Sequence, residues 1–177
     1  MHILRQRQAF CPVRYELLAV HVDMGHSLKN TKALQGYFKK SGYKYVIKKL
    51  DLSSCGKPPS SLKPARRDSC FWCFWNRRKA LFAAAEEYKC NKVALGDHKD
   101  DIIQTVLLNL FFNGEISTMS PKQELFDGLL MIIRPFAYAQ ENEIASFARE
   151  KNCPYRIIDA GIHLFPTAGR LPNLSGI

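Results

Sequence analysis

Two groups of residues in this chain have types and spacings that could do chemistry. Cys70-Phe-Trp-Cys73 offers two thiols one helical turn apart, a spacing that suits a metal ion or a cluster. Leu95-Gly96-Asp97-His98-Lys99-Asp100-Asp101 puts a glycine at the end of an apolar run, then three carboxylates and an imidazole on the loop and helix that follow. A strand-end glycine with clustered aspartates suits a nucleotide-magnesium site. Gly96 lets backbone approach a ligand closely, Asp100 and Asp101 can bind magnesium or position a water, and His98 can donate to phosphate oxygens. Each group also has a structural reading. Aspartates in a first helical turn are favoured by the helix dipole, and short-spaced cysteines arise by chance or serve redox chemistry.

These residues need elements to hold them, and the sequence alternates strand-like and helix-like stretches. Glu16–Asp23 is a near-continuous apolar run, as a strand buried on both faces would be. Ser27–Ser41 predicts a helix with Ser27 as N-cap and Gly42 as its stop, and Tyr43–Leu50 a more exposed strand. Ser53–Pro64, with its prolines and serines, reads as a loop. Asp68 or Ser69 can cap a helix running to about Lys89 that carries Cys70 and Cys73 in its first turns. Lys92–Gly96 predicts a short strand and Asp97–Phe112 a helix with Ile103, Leu107 and Leu110 on one face, ended by Asn113-Gly114. Leu129–Arg134 predicts a strand broken by Pro135, Asn142–Lys151 a helix and Tyr155–Ile158 a last strand.

The alternation implies an α/β fold, a Rossmann-like parallel sheet with helices on both faces and sites at the carboxyl ends of its strands. Asp23 and Gly96-Asp97-His98 are then expected on one rim, with Asp23 part of the same site. Residues 1–160 form one domain in this reading, and 161–177, rich in Gly, Pro and small polar residues, a loosely attached tail.

In this order, the two groups resemble the tRNA 2-thiocytidine synthetase branch of the PP-loop ATP pyrophosphatases, from about Leu4 to about Ile158. That branch carries a Gly-His-His-x-Asp-Asp-x-x-Glu-Thr run where this chain reads Gly96-Asp97-His98-Lys99-Asp100-Asp101-Ile102-Ile103-Gln104-Thr105. Thr118-Met119-Ser120-Pro121-Lys122, Ile133-Arg134-Pro135-Phe136 and Glu141-x-x-Ile144 match as well. The resemblance implies ATP-dependent adenylation of a tRNA cytosine and replacement of an oxygen by sulfur. Asp100 and Asp101 would assist magnesium, and Asp23, Gly96, His98, Asp101 and Arg134 would contact the nucleotide. It further implies a [4Fe–4S] cluster on Cys70, Cys73 and a third cysteine from a later Cys-x-x-Cys, and a sulfur donor such as a cysteine desulfurase. A homodimer is a possible assembly. The cysteine pair favours cytosine, because the sister lysidine synthetases share the ATP chemistry without it.

Two departures from the pattern bear on activity. The later Cys-x-x-Cys should fall where this chain reads Asp159-Ala160-Gly161, and Cys153 lies several positions too early. The Ser-Gly-Gly-x-Asp-Ser loop, whose backbone N–H groups would hold pyrophosphate, occurs nowhere in the sequence. Met1 is accordingly expected to be an internal start, in a fragment or in a decayed copy, with catalysis lost and RNA or metal binding as the alternative reading.

Charge and composition narrow the partners. The net charge is +10, yet Lys29–Lys79 holds 14 Lys and Arg against Asp51 and Asp68, a local +12. Such a stretch reads as a polyanion footprint for tRNA, with Arg66, Arg67, Arg77 and Arg78 as candidate contacts, or as a solvated lysine-rich face. Tyr37, Phe38, Tyr43 and Tyr45, then Phe71, Trp72, Phe74 and Trp75, interleave with it, as stacking on unpaired bases or a core would require. No apolar run approaches the roughly 20 residues that span a bilayer, and no secretory leader opens the chain, so the cytoplasm and reduced thiols are expected.

Overall fold

The computed structural model describes residues 1–24, 28–50 and 70–153, with the backbone alone for 28–30 and 70–73. The expectations on Ser27, Ser53–Pro64, Arg66, Arg67, Asp68, Ser69, Tyr155–Ile158 and the 161–177 tail lie outside the described residues. The chain divides into two compact units, Met1–Tyr88 and Lys89–Ile177.

The first unit runs α1 (His2–Arg7), β1 (Ala19–Asp23), α2 (Leu28–Lys40), β2 (Tyr45–Lys49) and α3 (Cys70–Glu87). β1 and β2 pair in parallel from Ala19↔Tyr45 to Asp23↔Lys49, with α2 as the crossover that a parallel pair requires. α2 stops where the sequence says it should. Gly42 adopts the left-handed φ of +64°, which costs glycine nothing, and the Tyr43 amide reaches back to the Phe38 carbonyl at 3.0 Å. Tyr43 is thereby turned into the core with Ala19 and Phe38, and Tyr37 and Tyr45 pack against them. These four aromatics are therefore core rather than a base-stacking platform. Phe38 and Tyr43 meet edge to face, with centroids 6.4 Å apart, a preferred aromatic geometry. α3 packs against β1 and buries Asn76, Ala84 and Ala85.

The second unit runs β3 (Lys92–Ala94), α4 (Lys99–Asn113), β4 (Lys122–Leu125), β5 (Leu130–Ile133) and α5 (Glu141–Glu150). β5 is central, parallel to β3 and antiparallel to β4. The parallel pairing expected from the sequence holds for β1/β2 and β3/β5. The second unit adds to this an antiparallel strand, β4, in a hairpin with β5 that the sequence reading does not include. Its turn is built on Phe126, Asp127 and Gly128, all at positive φ, and Asp127-Gly128 is the dipeptide such turns select. Ile132, on the central strand, is fully buried.

α4 ends at Gly114 in the left-handed region, as expected, but its apolar face is not covered among the described residues. Ile103, Leu107 and Leu110 are 43–46% exposed. Their periodicity is real, and the core position it implies is not what the structure shows. The strap after the helix is fixed instead by Asn109, which is 3% exposed and donates to both the carbonyl and the hydroxyl of Ser117. No helix among the described residues is long and apolar enough to cross a membrane.

Candidate functional site

The turn between β3 and α4 carries Gly96, Asp97, His98, Asp100 and Asp101, and three backbone contacts hold it. The Leu95 amide continues the β3/β5 ladder to the Ile133 carbonyl at 2.9 Å. The pairing then lapses and resumes as one parallel bridge between His98 and Phe136. The Lys99 amide, one residue on, donates to the Ala139 carbonyl at 3.0 Å. Gly96 itself is exposed, and a Cβ built there would meet nothing within 4 Å. Packing within the chain therefore does not demand a glycine at this point. The open space beside it is what a ligand approaching the backbone would use.

α4 begins with a capping box. His98 is the N-cap, and its amide donates to Asp101 Oδ2 at 2.9 Å, which satisfies a donor the helix start would otherwise leave unpaired. The imidazole turns toward the same turn of backbone, yet its buried Nδ1 makes no full hydrogen bond. It lies 3.4 Å from Asp101 Oδ2 and 3.5 Å from Asp100 Oδ2. Asp100 Oδ2 also accepts from the Glu141 amide at 2.8 Å, so the first turn of α4 caps the first turn of α5. The imidazole and the two carboxylates thus meet in one place, while each carboxylate also serves the fold.

Arg134, just past the end of β5, is 4% exposed. Its Nε donates to Asp97 Oδ2 at 2.7 Å and its Nη1 to the Ser120 carbonyl at 2.6 Å. Sequence reasoning singled out Arg134 but not its partner. The register of Ala94 on Ile133 in the parallel pair brings the Asp97 and Arg134 that follow them together. Asp23, by contrast, lies in the first unit, at the carboxyl end of β1, 6% exposed, with the Leu50 amide on its carbonyl. Asp23 and Gly96 each sit at the carboxyl end of a parallel strand in its own unit.

On α3, Cys70 and Cys73 occupy the first and fourth positions, one turn apart as expected. Arg77 lies over the Phe74 ring at 5.8 Å and Arg78 over the Phe82 ring at 5.4 Å, with Arg77 and Phe74 both exposed. Among the described residues, no group of three or more His, Cys, Asp or Glu side chains is arranged to hold a metal ion. Magnesium asks for less, since one or two carboxylates with substrate phosphates and waters suffice, and Asp100 and Asp101 fit that need. A cluster asks for three or four thiolates, and the described residues do not complete that set.

No protein-family model matches the chain. It is 35% identical over 158 residues to the tRNA-cytidine(32) 2-sulfurtransferase of Citrifermentans bemidjiense, a match covering 87% of this chain and 59% of the relative. The enzyme of the same name from Syntrophotalea carbinolica is 36% identical over 154 residues, covering 87% of this chain and 58% of the relative. The chain thus spans well under two thirds of the length of these curated relatives. The resemblance read from the motifs is carried by these matches. Among solved structures, the U34-tRNA thiolase NcsA from Methanococcus maripaludis, determined with its [4Fe-4S] cluster, matches with a TM-score of 0.66. That match is 22% identical and covers 88% of this chain and 52% of the other, which shows a shared mixed α/β fold.

Proposed function

We propose that these 177 residues are the nucleotide- and tRNA-binding part of an ATP-dependent tRNA-cytidine sulfur-transfer enzyme, acting on the cytidine-32 position named for its relatives. The observation that carries this is identity to curated 2-sulfurtransferases across 87% of the chain. In the reaction, the cytosine O2 attacks the α-phosphate of ATP and pyrophosphate leaves. A sulfur nucleophile at the sulfide level then attacks C2, and the C2–O bond breaks to release AMP. Gly96 gives the nucleotide close approach to backbone, Asp100 and Asp101 bear on magnesium, and His98 donates to phosphate oxygens. Exposed Arg77, with Arg78 and the basic stretch around them, holds tRNA, while Phe74 offers a ring face for a base. Cys70 and Cys73 would supply two of the thiolates that a [4Fe–4S] cluster needs, and such a cluster would hold sulfur at the sulfide level.

These residues do not complete the reaction unaided in this reading. The leaving pyrophosphate needs preorganised donors, and loss of even one such donor typically costs about 10²–10³ in rate. No Ser-Gly-Gly-x-Asp-Ser segment occurs in the sequence to supply them. A second reading, binding of RNA or metal without nucleotide chemistry, is favoured by one observation: Asp100 and Asp101 both already accept backbone hydrogen bonds.

One set of measurements separates the two. The first reading expects a rise in melting temperature with ATP and magnesium, and tRNA affinity that falls steeply with salt. Replacing Arg77 and Arg78 together is expected to flatten the salt slope. Cys70→Ser with Cys73→Ser is expected to abolish iron retention after anaerobic reconstitution. Salt-dependent tRNA binding without any nucleotide shift would select the second reading. Formation of 2-thiocytidine by these residues alone would overturn the expected inactivity.

A further inference from the structure

We propose that Asp97 and Arg134 form a clasp that positions the Gly96–Asp101 turn, and that Arg134 acts through Asp97 rather than by touching the nucleotide. This refines the site of the proposed function and rests on that reading for its link to ATP.

Three observations carry the clasp. The Arg134 side chain is 2% exposed and that of Asp97 30% exposed, so the cation is withdrawn from solvent and the anion lies beside the turn. A guanidinium buried to that degree must stay paired, and at 2% exposure it offers little surface to an outside phosphate. Next, Asp97 sits in the gap in the β3/β5 ladder, after the Leu95 amide's bond to Ile133 and before the His98–Phe136 bridge. The side-chain bond at 2.7 Å spans the interval where backbone pairing is missing. Last, both the backbone and the side chain of Arg134 are anchored to one strap. Its amide donates to the Pro121 carbonyl at 2.9 Å and its Nη1 to the Ser120 carbonyl at 2.6 Å. The turn is thereby tied to the strap that follows α4 and to the end of β5. What is held in place is His98, adjacent to Asp97, whose Nδ1 faces the Asp100 and Asp101 carboxylates.

The clasp also changes the electrostatics of the site. Arg134 and Asp97 neutralise each other, so the pair presents no net charge to a phosphate. Pre-organisation, not attraction, is the contribution of Arg134.

The test uses the full chain with Asp97→Asn, Arg134→Lys and the double variant, all of which retain polar side chains at both positions and favour retention of the fold. Amide exchange, the NMR signal of the His98 imidazole (assigned with His98→Gln) and ATP-magnesium affinity are measured on each. Both single variants are expected to speed exchange at the Leu95–Asp101 amides by about tenfold or more, leaving β1 and β2 unchanged. Both should move the folded-state His98 signal, which destabilisation by itself would leave in place. The double variant should be no worse than the worse single one, as for two residues acting as one unit. ATP affinity is expected to fall in both single variants. A loss of affinity in Arg134→Lys with none in Asp97→Asn would assign Arg134 to the phosphates and overturn the clasp. Unchanged exchange and an unmoved His98 signal in Asp97→Asn would overturn it as well. If the unsubstituted chain gives no ATP response, the functional reading fails, and exchange with the His98 signal still decides the clasp.

Discussion

The Glu141 amide donates to Asp100 Oδ2 at 2.8 Å, so a carboxylate in the first turn of one helix caps the first turn of another, 41 residues on. Both helix starts carry partial positive charge, and one anion serves the two. Asp100→Ala is therefore expected to cost about 1 kcal/mol, within the usual range for loss of an N-cap. Asp100→Asn should cost less, since an amide oxygen can still accept from Glu141. Urea midpoints by circular dichroism check this. Equal losses in the two variants would show that charge, not the hydrogen bond, is what matters.

The absence of neighbours around Gly96 sets up a cleaner test of the nucleotide reading. A Cβ there meets nothing within 4 Å, and no left-handed φ is required. Gly96→Ala should leave stability within about 0.5 kcal/mol of the unsubstituted chain. If ATP approaches this backbone, the same methyl group should weaken ATP-magnesium affinity by about tenfold or more, by steric exclusion of the ligand. A variant with normal nucleotide affinity would move the ligand away from Gly96.

Much of this arrangement is legible in the sequence, for reasons that are local. Gly42 and Gly114 stop their helices because only a left-handed residue does so without strain, and both lie where periodicity ends. Asp101 falls three residues after His98, the spacing of a capping box. What the sequence hides depends on long-range pairing. Asp97 and Arg134 are 37 residues apart, and their union follows from the register of β3 on β5, which no local pattern states. The antiparallel β4 was missed because Lys122–Leu125 is short and mostly polar, with only Lys122 inside a motif read for chemistry. The aromatic run from Tyr37 to Tyr45 served core packing where composition allowed RNA stacking, because aromatic side chains meet either demand equally well.

α4 gives a prediction where periodicity and burial part company. Ile103, Leu107 and Leu110 recur at helical spacing, yet all are more than two-fifths exposed. Leu107→Gln should change stability by no more than about 0.5 kcal/mol. Ile132→Ala, at a fully buried site on the central strand, should cost about 2–5 kcal/mol. Urea unfolding of the two variants measures the contrast. A loss above about 2 kcal/mol in Leu107→Gln would mean that the helix face is covered in the native protein.

The pH dependence of the first unit rests in part on Lys48 of β2 and Glu87 of α3, joined at 2.5 Å. The hydrogen bond from Lys48 holds the Glu87 carboxyl below the ordinary carboxylate range, and the same bond holds the Lys48 ammonium above its ordinary value. For Glu87, the unfolded chain binds the proton more readily than the folded one. Its contribution is therefore present above the unfolded value and is lost as pH falls through the lowered folded value. For Lys48 the sense is reversed, with the contribution lost only as pH rises through the raised ammonium value. Between the two limits the pair adds a constant stabilisation, and neutral pH lies on that plateau. Glu87 is exposed and Lys48 partly so, and the effect should therefore be modest and should shrink in high salt. Lys48→Met is expected to lower stability at neutral pH and to reduce the acid-side loss, because Glu87 then loses the largest cause of its lowered value. Melting temperatures from pH 7 down through the carboxylate range, at low and high salt, give the comparison. Parallel curves for the two proteins would show that this pair does not contribute to acid sensitivity.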